Sequence, residues 1–476
     1  MVVGESTIDT QLAVIGAGPG GYAAAFRAAD LGLEVTMIDT EERPGGVCLF
    51  RGCIPSKALL YLTNVIYDAG EAKDMGITFD RPQIAVDGVR AWKERVIDRL
   101  ANGLVTLAKQ RDVQLVHGRA AFESGDTLRI TGSDISRVRF RHAIIATGSH
   151  AIPLPGTEFR PGGRIMSSAG ALQLADIPET LLVVGAGYVG MELGSVYATL
   201  GSRVTVVELM NEILPGADRD LVRPLERRVN KDFEAIHLGT KVASMQEANG
   251  HVAVTLEGDV KEAEQTFDRV LVSIGRRPNS ADIGLDAAGV DVDDRGFITV
   301  DDQQRTSASK IYAIGDVVGG YMLAHKAMYE GKIAAEVIAG EPAAFDARAI
   351  PAVVYTDPSI AWAGLLERQA EEQGRQVSVA RFPWTASGRA ITMDAPEGMT
   401  KMVFDPETER ILGVGIVGRE AGELIAEGVL AIEMGALAAD LDLSIHAHPT
   451  LSESTEEAAG AFLGHATHIL SPRRRK

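Results

Sequence analysis

The chain has 476 residues, of which 46% are hydrophobic, and this predicts a large buried core divided among about three to four domains. The formal net charge is −18, because 65 acidic residues outnumber 47 basic ones. A surface this negative argues against a nucleic-acid-binding protein, which must neutralise phosphates. No apolar run reaches the roughly 20 residues of a membrane-spanning helix, and residues 1–10 lack the cationic flank of a signal peptide, so we expect a cytoplasmic protein.

The first predicted unit is a strand–turn–helix–strand pattern that is typical of dinucleotide binding. Residues 12–15 read as a buried strand, residues 22–31 as a helix and residues 34–38 as a second strand. The second strand ends at Asp39, where a carboxylate can accept hydrogen bonds from ribose hydroxyls. The turn has the glycine spacing that lets backbone approach a pyrophosphate at a helix N-terminus, and its glycines are Gly16, Gly18 and Gly21.

The only two cysteines, Cys48 and Cys53, lie in the run 45–57. A core of this size needs no disulfide to hold it, and a zinc site needs about four ligands, so the pair is best interpreted as a redox-active dithiol. Pro55 predicts that Cys53 opens a helix, whose positive end, with Lys57 one turn on, favours the thiolate. We therefore expect Cys53 to be the better electron donor and Cys48, in the glycine-rich loop, to be the freer sulfur.

The dinucleotide-binding pattern recurs further along the chain. Residues 181–184 and 204–207 read as strands on either side of a helix at 191–200. The second of these strands ends at Glu208, whose carboxylate would bind a free 2′-hydroxyl and repel a 2′-phosphate, so we expect NAD rather than NADP here. Two dinucleotides beside a dithiol predict an electron relay. The glycines of this second turn are Gly185, Gly187 and Gly190.

A third candidate site lies in the run 446–453, which contains His446, His448 and Glu453. Thiol–disulfide exchange needs a base, and histidine is the side chain that titrates near neutral pH. Glu453 could orient such a base. A histidine–glutamate pair is more often structural, however, so this run carries no functional claim by itself. We interpret His446 as an ordinary loop histidine.

With these motifs the chain resembles the pyridine nucleotide-disulfide oxidoreductases along nearly its whole length, and in particular those members that oxidise dihydrolipoamide. The resemblance implies that the first dinucleotide is FAD and the second NAD. It rests on the run Gly-Cys-Ile-Pro-Ser-Lys, on both glycine turns, on the run 446–453, and on three shorter motifs, which are Ala146-Thr147-Gly148, Ile311-Tyr312-Ala313-Ile314-Gly315-Asp316 and Met322-Leu323-Ala324-His325.

The resemblance also implies catalytic roles. Cys48 resembles the interchange thiol that meets the substrate, and Cys53 resembles the thiol that faces the flavin. His448 resembles the base, and Glu453 its partner. The implied mechanism is a ping-pong relay, in which dihydrolipoyl electrons pass through the cysteine pair and FAD to NAD⁺.

The remaining implied site residues bind or surround the cofactors. Lys57 resembles the lysine beside the flavin, and Glu192 its buried ion-pair partner. The implied FAD contacts are Gly16, Gly18, Gly21, Asp39, Gly46, Lys57, Gly118, Thr147, Gly148, Asp316, Met322, Leu323, Ala324 and His325. The implied NAD contacts are Gly185, Gly187, Tyr188, Val189, Gly190, Glu208, Val242 and Gly275. No metal is expected.

The implied fold class is α/β, with two doubly wound dinucleotide-binding domains and a C-terminal α+β interface domain. The division is 1–150 for the first part of the FAD domain, 151–278 for the NAD domain, 279–349 for a central segment that completes the FAD site, and 350–476 for the interface domain. The resemblance further implies a homodimer, in which His448 and Glu453 of one subunit face the dithiol of the other. The basic tail 473–476 is expected to be solvated.

The expected reaction is oxidation of a protein-bound dihydrolipoyl group by NAD⁺. Members of the family that pass electrons to a second dithiol need further cysteines, and this chain has none beyond its pair. Two alternatives stay open: an NADH-dependent reductase of another small disulfide, and a non-catalytic flavoprotein scaffold or redox sensor. The sequence does not identify the lipoyl carrier. It departs from the family pattern at Phe50 and Arg51, between the cysteines. Either these residues are tolerated loop variation, or they tune the redox potential or dock a particular lipoyl carrier.

Overall fold

The computed structural model describes residues 6–80 and 82–470, and the first part of the chain forms a mainly parallel sheet with helices against it. The predicted strand at 12–15 is confirmed as the buried end of the first strand, with Leu12, Ala13 and Val14 fully enclosed. The elements of this part are β1 (Thr7–Ile15), α1 (Pro19–Asp30), β2 (Val35–Asp39), α2 (Gly46–Arg51), α3 (Cys53–Glu71), a 3₁₀ turn (Ala72–Met75), α4 (Val86–Gln110), β3 (Gln114–His117), β4 (Arg119–Ser124), β5 (Thr127–Thr131) and β6 (Arg137–Ile145).

The second part repeats the parallel sheet and the glycine turn. Its central strands lie in the order β11-β10-β9-β15-β8, and a three-stranded antiparallel sheet of β12, β13 and β14 lies beside them. The elements are β7 (Ser149–Ala151), β8 (Ile165–Met166), α5 (Ser168–Leu172), β9 (Thr180–Val184), α6 (Tyr188–Leu200), β10 (Arg203–Val207), α7 (Arg219–Asp232), β11 (Ala235–His237), β12 (Lys241–Ala248), β13 (His251–Glu257), β14 (Glu264–Phe267), β15 (Arg269–Val272) and β16 (Arg276–Pro278).

The third part returns to the first sheet. Its elements are α8 (Leu285–Ala288), β17 (Ile311–Ala313), a 3₁₀ turn (Gly315–Val318) and α9 (Ala324–Ile338). Strand β17 pairs with β6, so that Ala313 lies beside Ile145, and Ile145 lies beside Ile15. Because these three parallel strands end at the same level, the loops that follow them meet at one edge of the sheet, where α/β proteins bind their ligands.

The last part is a five-stranded antiparallel sheet, in the order β18-β19-β22-β21-β20, with helices packed against it. The predicted strands at 353–355 and 411–417 and the helix at 420–434 are confirmed to within one or two residues. The elements are β18 (Ala352–Val354), β19 (Ser359–Gly364), α10 (Glu367–Glu372), β20 (Ser378–Pro383), a 3₁₀ turn (Trp384–Ala386), α11 (Gly388–Thr392), β21 (Met399–Phe404), β22 (Ile411–Gly418), α12 (Ala421–Met434), α13 (Ala438–Asp442) and α14 (Glu453–Leu463).

On the basis of these sheets we propose the division 1–150, 151–278, 279–349 and 350–476 as the domains of the chain. One core connects the first two of them, since Leu59 and Leu60 of α3 belong to the same hydrophobic cluster as Met191 and Leu193 of α6. This packing sets the helix that begins at Cys53 against the helix of the second glycine turn. Across residues 6–80 and 82–470, no helix combines the length and the apolar character that crossing a membrane requires.

Candidate active site

The two cysteines lie at the junction of α2 and α3. Cys48 is within α2, which corrects the expectation that it lies in a glycine-rich loop, and Cys53 is the first residue of α3 as predicted. Both are free thiols and half-buried. Gly52 joins the two helices at a point with no room for a side chain, since a Cβ atom there would lie 2.9 Å from the Val47 carbonyl oxygen. The sequence therefore folds so that both sulfurs line one cavity.

The environment separates the two thiols in acidity. A hydrogen bond from Cys48 is the largest influence on Cys53, and with the Lys57 ammonium it lowers the Cys53 pKa to about 7 against the opposing effect of burial. The same hydrogen bond and burial raise the pKa of Cys48. Cys53 is therefore the more acidic thiol of the pair and Cys48 the less acidic one.

Lys57 and Glu192 form the ion pair that the resemblance implies, with Lys57 Nζ 2.8 Å from Glu192 Oε2. The Glu192 side chain is only 3% exposed, so its charge must be matched inside the protein. The Glu192 carboxylate accepts two further hydrogen bonds, from the Ser56 hydroxyl to Oε2 at 2.9 Å and from the Tyr355 amide to Oε1 at 3.0 Å. The Lys57 ammonium also lies 4.4 Å from the centre of the Tyr355 ring.

A cavity of about 630 Å³ extends from the first glycine turn to the dithiol and is the candidate FAD site. Its backbone fits a pyrophosphate, because Gly16 has a φ of +102° and a Cβ atom there would lie 2.3 Å from the Ala146 carbonyl oxygen. Of the predicted FAD contacts, those that line it are Gly16, Gly18, Asp39, Gly46, Lys57, Gly118, Thr147, Gly148, Asp316, Met322 and Ala324. Three others, Gly21, Leu323 and His325, do not line it.

Two acidic side chains that line this cavity, Asp39 and Asp316, accept hydrogen bonds from neighbouring residues. Asp39 Oδ2 accepts from the Ala17 amide at 2.5 Å, and its other oxygen accepts from the Glu41 amide at 2.8 Å. Each carboxylate oxygen keeps a further lone pair that a ribose hydroxyl can use. At the other end, Asp316 accepts a hydrogen bond from Ser149, whose hydroxyl in turn accepts from Arg276 Nε at 2.7 Å.

The second glycine turn has the same internal geometry. Glu208 accepts from the Ala186 amide at 2.7 Å and from the Met210 amide at 2.8 Å, which are the counterparts of the two contacts of Asp39. Tyr188 and Val189 line the cavity that also contains the dithiol. The predicted contacts that do not line that cavity are Gly185, Gly187, Gly190, Glu208, Val242 and Gly275. The Val242 side chain is buried in a hydrophobic cluster.

His448 and Glu453 meet as a pair, with His448 Nδ1 2.8 Å from Glu453 Oε1. The Thr450 amide donates to the other oxygen at 2.6 Å, which orients the carboxylate. Burial opposes ionisation of Glu453, but the Thr450 amide and His448 lower its pKa. The histidine side chain is 71% exposed, and His448 is not among the residues that line the dithiol cavity of its own chain.

His446 differs from the interpretation as an ordinary loop histidine. It lies between α13 and α14 as expected, but its side chain is only 7% exposed. The ring contacts two carboxylates, with Nε2 2.8 Å from Glu427 Oε1 and Nδ1 3.3 Å from Glu456 Oε2. These partners lie on α12 and α14, and the sequence gives no local signal that would bring them to this ring.

Of the two unusual residues between the cysteines, Arg51 makes a salt bridge and Phe50 packs, partly buried, against a small hydrophobic cluster. Arg51 forms a salt bridge with Glu41, and both residues line the rim of the candidate FAD cavity. The Phe50 ring lies 5.7 Å from the guanidinium carbon of Arg43. Arg51 is thus at the FAD rim. The alternative of a role in docking a lipoyl carrier stays a hypothesis.

Asp218, Asp220 and Glu367 are close enough together to hold a metal ion, and within the described part of the chain they are the one such group. Lys401 lies at their centre, with Nζ 2.7 Å from Asp218, 2.8 Å from Asp220 and 2.8 Å from Glu367. Its side chain is 2% exposed, so the ammonium ion matches these carboxylates inside the protein. The group is an ion-pair network that joins α7 to β21, and we assign no metal to it.

Several residues of the site have no motif of their own. Ser56 and Tyr355 complete the hydrogen bonds of Glu192, and Ser149 and Arg276 hold Asp316. Ser56 lies inside the redox motif and Ser149 directly follows the Ala146-Thr147-Gly148 motif, so proximity could have indicated these two. Tyr355 reaches Glu192 through its backbone amide, which no side-chain pattern can reveal.

Comparison with known proteins gives the family. Residues 10–331 match the model described as pyridine nucleotide-disulphide oxidoreductase, and residues 350–459 match the dimerisation domain of the same family. The chain belongs to the pyridine nucleotide-disulphide oxidoreductases. This membership confirms the predicted family, the α/β fold class, the disulfide oxidoreductase chemistry and FAD and NAD as its cofactors.

Curated relatives of this oxidoreductase cover it almost completely. It is 48% identical to dihydrolipoyl dehydrogenase of Haemophilus influenzae over 466 residues, which is 97% of each chain. It is 45% identical to dihydrolipoyl dehydrogenase of Halobacterium salinarum, over 99% of this chain and 100% of the relative. These matches support the predicted reaction.

Solved structures have the same fold at lower identity. LpdA from Mycobacterium tuberculosis is 27% identical with a TM-score of 0.88, and the match covers 95% of this chain and 99% of that one. The HOCl-induced flavoprotein disulfide reductase RclA from Escherichia coli is 27% identical with a TM-score of 0.84, covering 94% and 99%.

Proposed function

We propose that this oxidoreductase oxidises protein-bound dihydrolipoamide to lipoamide and reduces NAD⁺ to NADH, releasing one proton. The observation that carries the proposal is the pair Cys48 and Cys53, which line one cavity with the first glycine turn and differ in acidity as an interchange thiol and an electron donor must. The chain-long identity to dihydrolipoyl dehydrogenases supports dihydrolipoyl groups as the substrate class.

The exchange begins from the Cys48–Cys53 disulfide. One dihydrolipoyl thiol gives up its proton, and its sulfur attacks Cys48 Sγ, which breaks the disulfide and releases Cys53 as a thiolate. The second lipoyl sulfur then attacks the first, so that the lipoyl disulfide closes and Cys48 leaves with a proton. The electron pair of the substrate is now on the cysteine pair. The lowered pKa of Cys53 makes it the better leaving thiolate in the first of these steps.

We assign the proton transfer to His448. Its Nδ1 is occupied by Glu453, so Nε2 is the nitrogen left to accept a proton from the substrate thiol. Glu453 fixes the orientation of the ring, because the Thr450 amide holds the carboxylate in place. A catalytic base needs this kind of support, whereas a scaffold protein does not.

The cavity lined by the dithiol and the first glycine turn would hold FAD, which would supply an acceptor for the electron pair of the dithiol and a hydride donor for NAD⁺. Lys57 holds a positive charge one helical turn from Cys53, and Glu192 with its two further donors keeps that ammonium in place. The Glu208 carboxylate accepts hydrogen bonds from the ribose hydroxyls of NAD⁺ and repels the 2′-phosphate of NADP⁺. The other implied FAD and NAD contacts remain part of this proposal.

We further propose a homodimer that brings His448 of one subunit to the dithiol of the other. The matched dimerisation domain supports association of this region. Large apolar side chains are exposed on the same domain and near the histidine, and they are Leu430, Met434, Leu443 and Ile445. A second copy would cover this surface and place an exposed base where a thiol substrate arrives. A cytoplasmic location and a lipoyl-carrying protein as partner complete the proposal.

The runner-up function is reduction of another small disulfide with NADH, and the similarity to the disulfide reductase RclA favours keeping it. The two functions are separated by steady-state rates of the FAD-loaded enzyme. We expect faster NADH formation from dihydrolipoamide and NAD⁺ than NADH consumption with oxidised glutathione. A faster rate with glutathione would replace the proposed function with the runner-up.

A further inference from the structure

His446 is the buried histidine of the segment that carries His448. The segment runs from the end of α13 at Asp442 to the start of α14 at Glu453, and Leu443 and Ile445 on it point into solvent. Between these exposed side chains, the His446 ring turns inward. Its Nε2 lies 2.8 Å from Glu427 Oε1, and its Nδ1 lies 2.9 Å from the Ser444 carbonyl oxygen.

The contacts of His446 connect three elements. Glu427 is on α12 and Glu456 is on α14, and both carboxylates approach the same ring. Glu427 is itself held, because the Thr455 hydroxyl of α14 donates to its second oxygen at 2.5 Å. A protonated imidazole placed here bonds one carboxylate, attracts the other, and bonds the backbone of its own segment. It therefore ties the segment to both helices at a point two residues before His448.

The far side of the segment is anchored separately. Glu453 binds both His448 and the Thr450 amide, and the Thr450 hydroxyl donates to the Ala447 carbonyl oxygen at 2.7 Å. Those contacts shape the turn around His448 but do not attach it to α12. The ring of His446 makes the hydrogen bond from the start of the segment to that helix.

We propose that His446 is a positioning residue for the dithiol half-reaction, which holds the backbone of His448 in place by bonding Glu427 and Glu456. The inference rests on the proposed function, in which His448 is the base. A base must lie within hydrogen-bond reach of the proton it removes, so loosening its backbone lowers the rate of proton removal without altering the base itself. His446 touches neither substrate nor cofactor in this account.

The test compares two substitutions at one site with a matched histidine elsewhere. His446→Leu keeps the volume and removes all hydrogen bonds, whereas His446→Gln keeps a donor near the position of Nε2 and can still bond Glu427. His468 is the control, because its Nδ1 lies 2.6 Å from Glu457 on the same helix α14. His468→Leu removes a histidine–glutamate pair outside the segment, from a side chain that is 50% exposed rather than 7%.

We expect His446→Leu to lower kcat/KM for dihydrolipoamide about five- to thirtyfold, which corresponds to losing one or two kcal/mol of positioning. We expect His446→Gln to restore it to within about threefold of the wild type, and His468→Leu to remain within about twofold. NADH oxidation by an artificial electron acceptor should be unchanged in all three, because that half-reaction needs no base at the dithiol.

A second readout does not depend on turnover. Amide hydrogen exchange over residues 443–452 should accelerate in His446→Leu and not in His468→Leu, while sedimentation shows both variants as dimers. The proposal is overturned if His446→Leu keeps its dihydrolipoamide kcat/KM within twofold, if both half-reactions fall together, or if the loss follows dissociation into monomers. Should His446→Leu fail to fold, Glu427→Leu removes the acceptor side of the contact and must give the same selective loss.

These outcomes are distinguishable from failure of the proposed function. If the wild-type holoenzyme does not oxidise dihydrolipoamide at all, the proposed function is wrong whatever the variants do. In that case the exchange rates of residues 443–452 still decide whether His446 anchors the segment. If the wild type is active and His446→Leu behaves like His468→Leu, only the positioning role is withdrawn.

Discussion

Removing the charge of Lys57 should make Cys53 a weaker acid. Side chains one helical turn apart have Cβ atoms about 5–6 Å from each other. At an effective dielectric constant of about 20, unit charges about 6 Å apart interact by roughly 3 kcal/mol, or about two pK units. Glu192, 2.8 Å from the ammonium, opposes the effect of Lys57 on Cys53. The Lys57 side chain is 33% exposed, so solvent screens part of its interaction with Cys53, and we expect a net rise of about one unit in the Cys53 pKa.

The measurement uses Cys48→Ser holoenzyme, in which Cys53 is the remaining thiol. Its thiolate beside the flavin should give a long-wavelength absorbance whose pH midpoint reports the pKa of Cys53. The midpoint should rise by about one unit in Lys57→Met and stay within about 0.3 units in Lys57→Arg, which retains the charge. The reasoning is refuted if Lys57→Met leaves the midpoint unchanged or lowers it.

Three further predictions concern specificity, the base and stability. Glu208 should make kcat/KM for NAD⁺ at least about tenfold higher than for NADP⁺, because repulsion and lost ribose hydrogen bonds exceed ~1.4 kcal/mol, and equal values would contradict the assignment. His448→Gln should slow dihydrolipoamide oxidation about 10²–10⁴-fold, while NADH oxidation by an artificial acceptor is preserved. Glu453→Gln should act in the same direction but more weakly. Normal turnover of His448→Gln from pH 6 to 9 would show that His448 is not the base. Lys401→Met should cost about 3–5 kcal/mol of folding free energy, because it removes the ammonium that contacts the buried Asp218 carboxylate. The exposed pair of Lys241 and Glu257 should lose less than about 1 kcal/mol in Lys241→Met, and thermal unfolding of the holoenzymes measures both.

The sequence predicted the parts of the site that depend on local pattern. The glycine turns, the strands around them and the helix that begins at Cys53 follow from short-range spacing, and the structure confirms each of them. The pair of Lys57 and Glu192 also came from motif resemblance and is present at 2.8 Å. Short-range patterns such as the glycine turns predict local geometry well, because neighbouring backbone groups make the contacts that define a turn, strand or helix.

What the sequence missed depends on long-range packing. The placement of Cys48 in a short helix and the burial of His446 both depend on contacts with distant segments. Glu427 reaches His446 from a separate helix, and Tyr355 reaches Glu192 through a backbone amide. Neither distance nor burial is encoded in the residue types alone. The interpretation of His446 as an ordinary loop histidine missed these contacts for this reason.

The two serine variants of the redox pair test the central claim most directly. We predict that Cys48→Ser holoenzyme has the long-wavelength absorbance of a Cys53 thiolate beside the flavin, that Cys53→Ser lacks it, and that both lose oxidation of dihydrolipoamide by NAD⁺. The structure supports this order because the hydrogen bond from position 48, which a serine hydroxyl can also donate, and the Lys57 ammonium both lower the pKa of Cys53. The absorbance in Cys53→Ser and its loss in Cys48→Ser would reverse the roles of the thiols, and undiminished turnover in either variant would contradict the account.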